Sequence, residues 1–563
     1  MPKGLRYRLA SSTAVEPLVN KWVAWAHVIP PVAGSLHLYR YQSDLLRSYL
    51  EDPRAHFIAC QNPRMRSGPF VDVAVERAGE IERLLADTEI KLGGNLEFAR
   101  GVIEFHNYLV KEAQGQSLDG FYDLLPARLR GFVELVYDYY NRPIMRFFES
   151  LLYRTPYYTE DLQSLRIFRQ KTDDSRAFIM STPRLAQPDQ IDWSIAFDKP
   201  EVDEFFRLDA RPRPLGYIHE LLGLDSSQEH LLLPLLSSEP PRPGEASDHA
   251  TACIRYIGHA CVLIQANGIS ILTDPYIGIT PSTGSKLKRL PYDELPDKID
   301  YVLITHNHHD HFCLESLLRI RHRIGTLVVP RTSGFFYGDV SLKLLCQRIG
   351  FKEVIEVDVL DSLAFPGGEI IAMPFVGEHA DLPHGKTAYV IAIGGERVMI
   401  AADSDCLDRV MYEHIRDMIG PIQTVFIGLE CVGAPLSWSC GPFFPAKPAA
   451  AHEQTRHYKG CDSARALGIL ESVGASRLYI YAMGLEPWLE HLLGLAYSED
   501  ALQLREARRL LSEARERGLQ DARLLYGYCE LPLLQRHERQ PVAYVETAPA
   551  VSGSDQPEDQ FSF

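Results

Sequence analysis

His306, His308, Asp310 and His311 stand within six residues in the pattern His-x-His-x-Asp-His, inside the run Thr305-His306-Asn307-His308-His309-Asp310-His311. Imidazole and carboxylate at that density read as metal ligands, because ordinary solvated histidines do not gather at the end of an apolar stretch. That stretch, Tyr301-Val302-Leu303-Ile304, reads as a buried strand reaching Ile304. Side chains two apart at a strand end leave on the same side, so His306 and His308 are expected to converge on one ion. Phe312 to Leu318 carries apolar residues at helical spacing, so strand gives way to helix within the motif, and Asp310 and His311 point toward a second ion. Asn307 and His309 alternate with these residues and are expected to face away. Imidazole with carboxylate suits zinc, iron or manganese alike.

Other segments must bring further groups to the same place. Tyr256-Ile257-Gly258-His259-Ala260 and Ile271-Leu272-Thr273-Asp274-Pro275 precede the motif. Pro374-Phe375-Val376-Gly377-Glu378-His379 and the apolar strand Val398-Met399-Ile400-Ala401-Ala402-Asp403 follow it. Thr424-Val425-Phe426-Ile427 leads to Glu430, and Leu478-Tyr479-Ile480-Tyr481 runs into Ala482-Met483-Gly484. The order resembles the metallo-β-lactamase superfamily. That resemblance implies an α/β fold, an αββα sandwich preceded by a mixed α/β N-terminal domain. It also implies Asp274 supporting a metal-binding histidine and Asp403 bridging two ions. Two departures stand out. Glu378 or His379 occupies the place of the next histidine ligand, and no histidine follows Tyr481 where a last one is expected. A donor set richer in carboxylate is harder and favours oxidised iron over zinc.

Gly377-Glu378-His379-Ala380-Asp381-Leu382, Ala402-Asp403-Ser404-Asp405, Gly428-Leu429-Glu430 and Tyr481-Ala482-Met483-Gly484 look like the diiron β-hydroxylases of chloramphenicol-type and nonribosomal peptide pathways. The resemblance implies His306, His308 and Glu378 on one iron, Asp310 and His311 on the other, and Asp403 between them, with Glu378 and Asp403 central to catalysis. Glu430 is a further ligand, a supporting acceptor or a structural carboxylate, and His379 has similar standing. Implied cofactors are two iron ions, with dioxygen as cosubstrate and an external electron donor. The implied partners are a peptidyl carrier (thiolation) domain of a nonribosomal peptide synthetase, bearing a phosphopantetheine-linked amino acid, and a redox protein. An N-terminal domain that supports a homodimer and walls the cleft is implied too. The rival reading is a zinc- or manganese-dependent hydrolase that lowers the pKa of a bridging water to attack a lactone, thioester or small phosphodiester.

The formal charge of −16 over 563 residues argues against a nucleic-acid partner, which needs a basic surface. The ten cysteines form no Cys-x-x-Cys pair and require no oxidising compartment. The N-terminus has no apolar segment after its charges, and no stretch approaches the roughly 20 apolar residues that span a bilayer, so a cytoplasmic chain without a membrane partner is expected. Proline and polar residues mark a linker over 237–250, between an N-terminal domain at 1–236 and a metal domain at 251–510. A C-terminal extension at 511–540 and a disordered tail at 541–563 complete the expectation. Helices are expected over 81–85, 96–111 and 498–518, and the aromatic stretch 129–152, with Tyr137, Tyr140, Phe147 and Phe148, is expected to supply core, or in part the interface that the resemblance implies. Lys286, Lys288 and Arg289, or Arg319, Arg321 and Arg323, are candidate basic patches for an acidic carrier, against the plainer reading of solvated charge.

Overall fold

The structure, a computed structural model, describes residues 5–242, 252–285, 287–378, 384–449, 451, 457–495 and 497–533. Two seven-stranded sheets form the second half of the chain. In the first, Ile299–Leu303 lies between Ile269–Thr273, the central strand, and Ile324–Pro330, paired parallel to both. In the second, Glu396–Ile400, Thr424–Ile427 and Arg477–Ile480 run parallel side by side.

The strands are apolar on both faces because each sheet is covered twice. In Thr424–Ile427, Phe426 packs between the sheets with Tyr389 and Tyr479, while Val425 and Ile427 pack outward against the helices Arg409–Ile419, Ser463–Val473 and Leu502–Glu516. The outer face of the first sheet joins a core shared with the N-terminal half, which includes Val15, Leu165 and Phe205. The result is the expected α/β sandwich. Among the described residues, no helix is long and apolar enough to cross a membrane.

Strand pairing carries this unit past residue 510. Asp521–Leu524 pairs with Arg477–Ile480, and Cys529–Pro532 pairs with Cys253–Gly258, so the segment expected as an extension supplies an edge strand to each sheet. Ser237, expected to open the linker, instead pairs with Arg8 in a three-stranded sheet. Residues 243–250 and everything beyond 533, the expected tail included, lie outside the described residues.

The N-terminal half mixes a four-stranded sheet with the helices Ala78–Lys91 and Gly93–Glu112, as periodicity indicated. The aromatic stretch forms the hairpin Val133–Tyr137 and Pro143–Phe147. Its tip departs from the expectation of core: Tyr140 is 80% exposed and Tyr139 wholly so.

The arginines proposed for a basic patch are buried instead. Arg319 donates twice to Asp209, at 2.8 and 2.6 Å, and once to the carbonyl of Thr13 at 2.8 Å. Arg321 pairs with Asp203 at 2.9 Å, and Arg323 donates to the Leu295 carbonyl. Arg289 pairs with Asp173 over the Trp488 ring, Lys288 caps the Tyr528 ring, and Lys286 lies outside the described residues. Arg176 grips Glu315 through two bonds of 2.6 and 3.0 Å. Glu315 and Arg319 belong to the helix Leu314–Ile320, which starts directly after the His-x-His-x-Asp-His run. The N-terminal half is therefore clamped to the element that trails the metal motif.

Candidate metal centre

The strand before the motif stops at Leu303, and Ile304 to Cys313 is a tight loop ahead of the helix at Leu314. His306 and His308 thus stand on turns rather than on a strand end, with ring centres 4.5 Å apart, and His308 falls in neither of the donor groups found among the described residues. The loop folds on itself where His311 and Phe312 donate their backbone N–H to the His308 carbonyl, at 3.1 and 2.8 Å. Tyr389, from the opposite sheet, donates to the Ile304 carbonyl at 2.9 Å and fixes the loop's start. Asn307 and His309 do face away: Asn307 bonds the Gly338 carbonyl at 3.1 Å, and His309 the Leu492 carbonyl at 2.7 Å beside Trp25.

Two overlapping groups of ligand atoms result, His306 with His311 and Asp403, and His259 with Asp310 and His311, each set within 4.8 Å. All five residues are buried. Asp403 reaches the group from beyond Ile400, where the chain turns at Ala402 with φ 48° and the Gly428 N–H donates to the Ala402 carbonyl at 2.8 Å. A Cβ on Gly428 would stand 2.7 Å from Asp403 Oδ1, so glycine is what allows the carboxylate its position.

The donor set fits a cation. Asp274 accepts from the Thr305 N–H at 2.8 Å, the Thr305 hydroxyl at 2.6 Å and His311 Nδ1 at 2.8 Å. With Nδ1–H given to Asp274, His311 turns Nε2 toward Asp403 Oδ2 at 2.9 Å and Asp310 Oδ2 at 3.5 Å, yet that buried nitrogen makes no hydrogen bond among the described residues. Two carboxylates crowded on this nitrogen call for positive charge between them, which a proton on the imidazole or a metal ion supplies. Burial alone would lower the His311 pKa, but Asp403, Asp310 and Asp274 overcome it and hold it well above the ordinary value. Burial likewise works to raise the Asp310 pKa, and His311, His259 and His309 overcome that to hold it well below the carboxylate range.

Other expected site residues fall elsewhere. Glu378 is exposed and stands outside both groups, at the edge of a loop whose residues 379–383, His379 among them, lie outside the described residues. The loop's far end borders the site, since Lys386 pairs with His306 as a β-bridge and its ammonium donates to the Gly377 carbonyl at 3.0 Å. Glu430 accepts from the Tyr497 hydroxyl at 2.7 Å and belongs to neither group. Asp405 is committed to Arg465. His259 and Tyr497 carried no role in the reading of the sequence. The available signal for His259 was a histidine, rather than glycine, directly after Gly258 at an expected turn between two apolar strands.

Comparison with known proteins adds to this geometry. Residues 8–240 match the family described as "Diiron non-heme beta-hydroxylase N-terminal domain", and residues 253–360 match a "Beta-lactamase superfamily domain". The 4-amino-L-phenylalanyl-[CmlP-peptidyl-carrier-protein] 3-hydroxylase of Streptomyces venezuelae is 34% identical over 522 residues, 91% of this chain and 97% of that protein. The crystal structure of CmlA, a diiron β-hydroxylase from Streptomyces venezuelae, superposes with a TM-score of 0.86 at 32% identity, covering 94% of this chain and 100% of that one. A metal-dependent hydrolase of Methanopyrus kandleri is 25% identical over 150 residues, only 25% of this chain and 57% of that protein.

Proposed function

The chain belongs to the family of diiron non-haem β-hydroxylases, and from that premise we propose that it hydroxylates the β-carbon of an amino acid held as a thioester on a carrier domain of a nonribosomal peptide synthetase. The observation that carries this reading is the full-length likeness to a hydroxylase whose substrate is bound to a carrier protein, joined here to a buried donor set fit for cations. The hydrolase likeness, by contrast, covers a quarter of the chain and leaves the N-terminal half unaccounted for.

His306, His308 and Glu378 would hold one iron, Asp310 and His311 the other, with Asp403 between them. Iron bound there supplies the capacity to activate dioxygen and take electrons from an external donor. The chain's own contribution is placement and exclusion of water. Asp274 fixes the His311 tautomer through its 2.8 Å hydrogen bond, and Phe375 and Tyr458 flank the His306 and His308 rings at 5.4 and 5.8 Å. Trp25 and His27, from the N-terminal half, back the motif at His309 and Asn307. The two halves thus wall the centre jointly. A cytoplasmic location, a redox partner and a homodimer fit this reading, and residues 1–236 and the metal-binding unit after residue 251 are its two functional parts.

The test is purified chain loaded with ferrous iron, reduced chemically and exposed to dioxygen with an aminoacyl thioester on a carrier domain. The expected product keeps the thioester and gains one oxygen atom by mass spectrometry. Stoichiometric zinc, with release of free amino acid and no oxygen incorporated from dioxygen, sinks the proposal in favour of the hydrolase.

Glu378 provides a narrower check. A carboxylate there adds negative charge that favours oxidised iron, and Glu378→His removes it. That variant is expected to keep bound metal, to shift its preference toward zinc and to slow hydroxylation about tenfold or more, an effect of the size seen when groups around a metal are altered. Hydroxylation at the parental rate removes Glu378 from the site.

A further inference from the structure

We propose that His259 is a positioning residue for the second metal site: its imidazole donates a hydrogen bond that fixes the direction in which Asp310 presents its ligand oxygen. The inference rests on the assignment of Asp310 and His311 to a metal ion. His259 Nε2 lies 2.8 Å from Asp310 Oδ2, with both side chains buried. A ligating carboxylate is ionised and can only accept, so the proton of this bond sits on His259 Nε2. That leaves Nδ1 as the acceptor nitrogen, and it is buried without a hydrogen-bond partner among the described residues. An apolar side chain of similar size would relieve that orphan atom, so packing alone does not account for a histidine here.

The backbone points the same way. Gly258 pairs with Cys261, leaving His259 and Ala260 as a two-residue turn. His259 has φ 52°, a conformation glycine takes more readily, and non-glycine residues held there gather at functional sites. The turn is clamped from the far end of the fold: the Glu486 carboxylate accepts the His259 N–H at 3.2 Å, and the Ala482 N–H donates to the His259 carbonyl at 3.0 Å. The His259 ring centre lies 5.3 Å from that of His311.

The experiment compares His259→Leu and His259→Gln in the full chain by anaerobic titration with ferrous ion alone, followed by the optical spectrum after oxidation. Leucine fills the volume without a donor, whereas the glutamine amide can reach as far as Nε2. His259→Leu is expected to bind the first ferrous ion as the parent does and the second roughly 10- to 100-fold more weakly, the effect typical of lost support around a ligand, with an altered spectrum. His259→Gln is expected to recover most of that loss. Parental affinity for both ions in His259→Leu overturns the proposal, and so does a glutamine variant as defective as leucine, which would make the ring itself a ligand. If His259→Leu does not fold, His259→Asn, whose amide is too short, replaces it with the same expectations. These affinities are read without turnover, so a chain that binds both ions but does not hydroxylate rejects the proposed function and leaves this one standing.

Discussion

Asp403→Ala is expected to lose at least one of two bound metal ions and to lower hydroxylation by about two orders of magnitude or more, beyond the roughly 10- to 100-fold that follows loss of a supporting residue. The physical reason is placement. Asp403 Oδ2 stands 2.9 Å from His311 Nε2 and 3.7 Å from His306 Nε2, so its carboxylate is common to both halves of the donor set. Removing it deletes a ligand and also the negative charge that offsets repulsion between two cations. Metal analysis after gel filtration, beside turnover on the carrier-bound substrate, reads both effects. An unchanged metal count places the bridge elsewhere. Asp405 is poorly suited to take over, since Arg465 already holds its carboxylate. Asp403→Asn separates the two contributions, because it keeps an oxygen and loses the charge.

The largest effect on stability is expected at Arg319. Its side chain is 2% exposed, forked onto Asp209 and stacked over the Tyr292 ring at 4.0 Å. Arg319→Ala leaves Asp209 buried and uncompensated, a change that costs about 3–5 kcal/mol. Denaturant unfolding should show a correspondingly lower midpoint, and Arg319→Lys should recover little, because one ammonium cannot reproduce the planar fork. The double variant Arg319→Met with Asp209→Asn should be less destabilised than Arg319→Ala, since neither charge is then stranded. A loss below about 1 kcal/mol for Arg319→Ala, the range of exposed ion pairs, would mean that water reaches the pair. Because Arg319 sits on the helix that trails the motif, the same variant should hold metal less tightly.

Much of the molecule is legible along the chain because the interactions responsible are local. The helices at Ala78–Lys91, Gly93–Glu112 and Leu502–Glu516 follow from apolar periodicity, and the doubly buried strands from unbroken runs such as Thr424–Ile427. The ligand run from His306 to His311 is legible for the same reason: four candidate ligands within six residues need no tertiary knowledge to be suspected. Where the reading of that run departs from the structure is also local. Ile304 to Cys313 forms turns, stabilised by backbone bonds to the His308 carbonyl that spacing does not reveal.

The arginines show what sequence could not supply. Arg319, Arg321 and Arg323 look like a solvated basic stripe at a helix end, but burial is decided by what packs on that helix. The partner of Arg319 lies 110 residues away. The aromatic stretch around Tyr140 departs from core in the opposite direction, since an apolar ring counts as core only if another element covers it, and within this chain the hairpin tip is exposed.

The sequence by itself determined that this chain carries a metal-binding run on an α/β sandwich and which family it resembles, because ligand type, ligand spacing and strand patterning are written in consecutive residues. Only the tertiary structure decided that His259 meets Asp310 across 51 residues of sequence, and that Asp403 closes on His311 from the opposite sheet. It also decided that the N-terminal half grips the helix after the motif. A charged or titratable side chain takes its role from its burial and from the partner opposite it, and both are set by which segments the fold brings together.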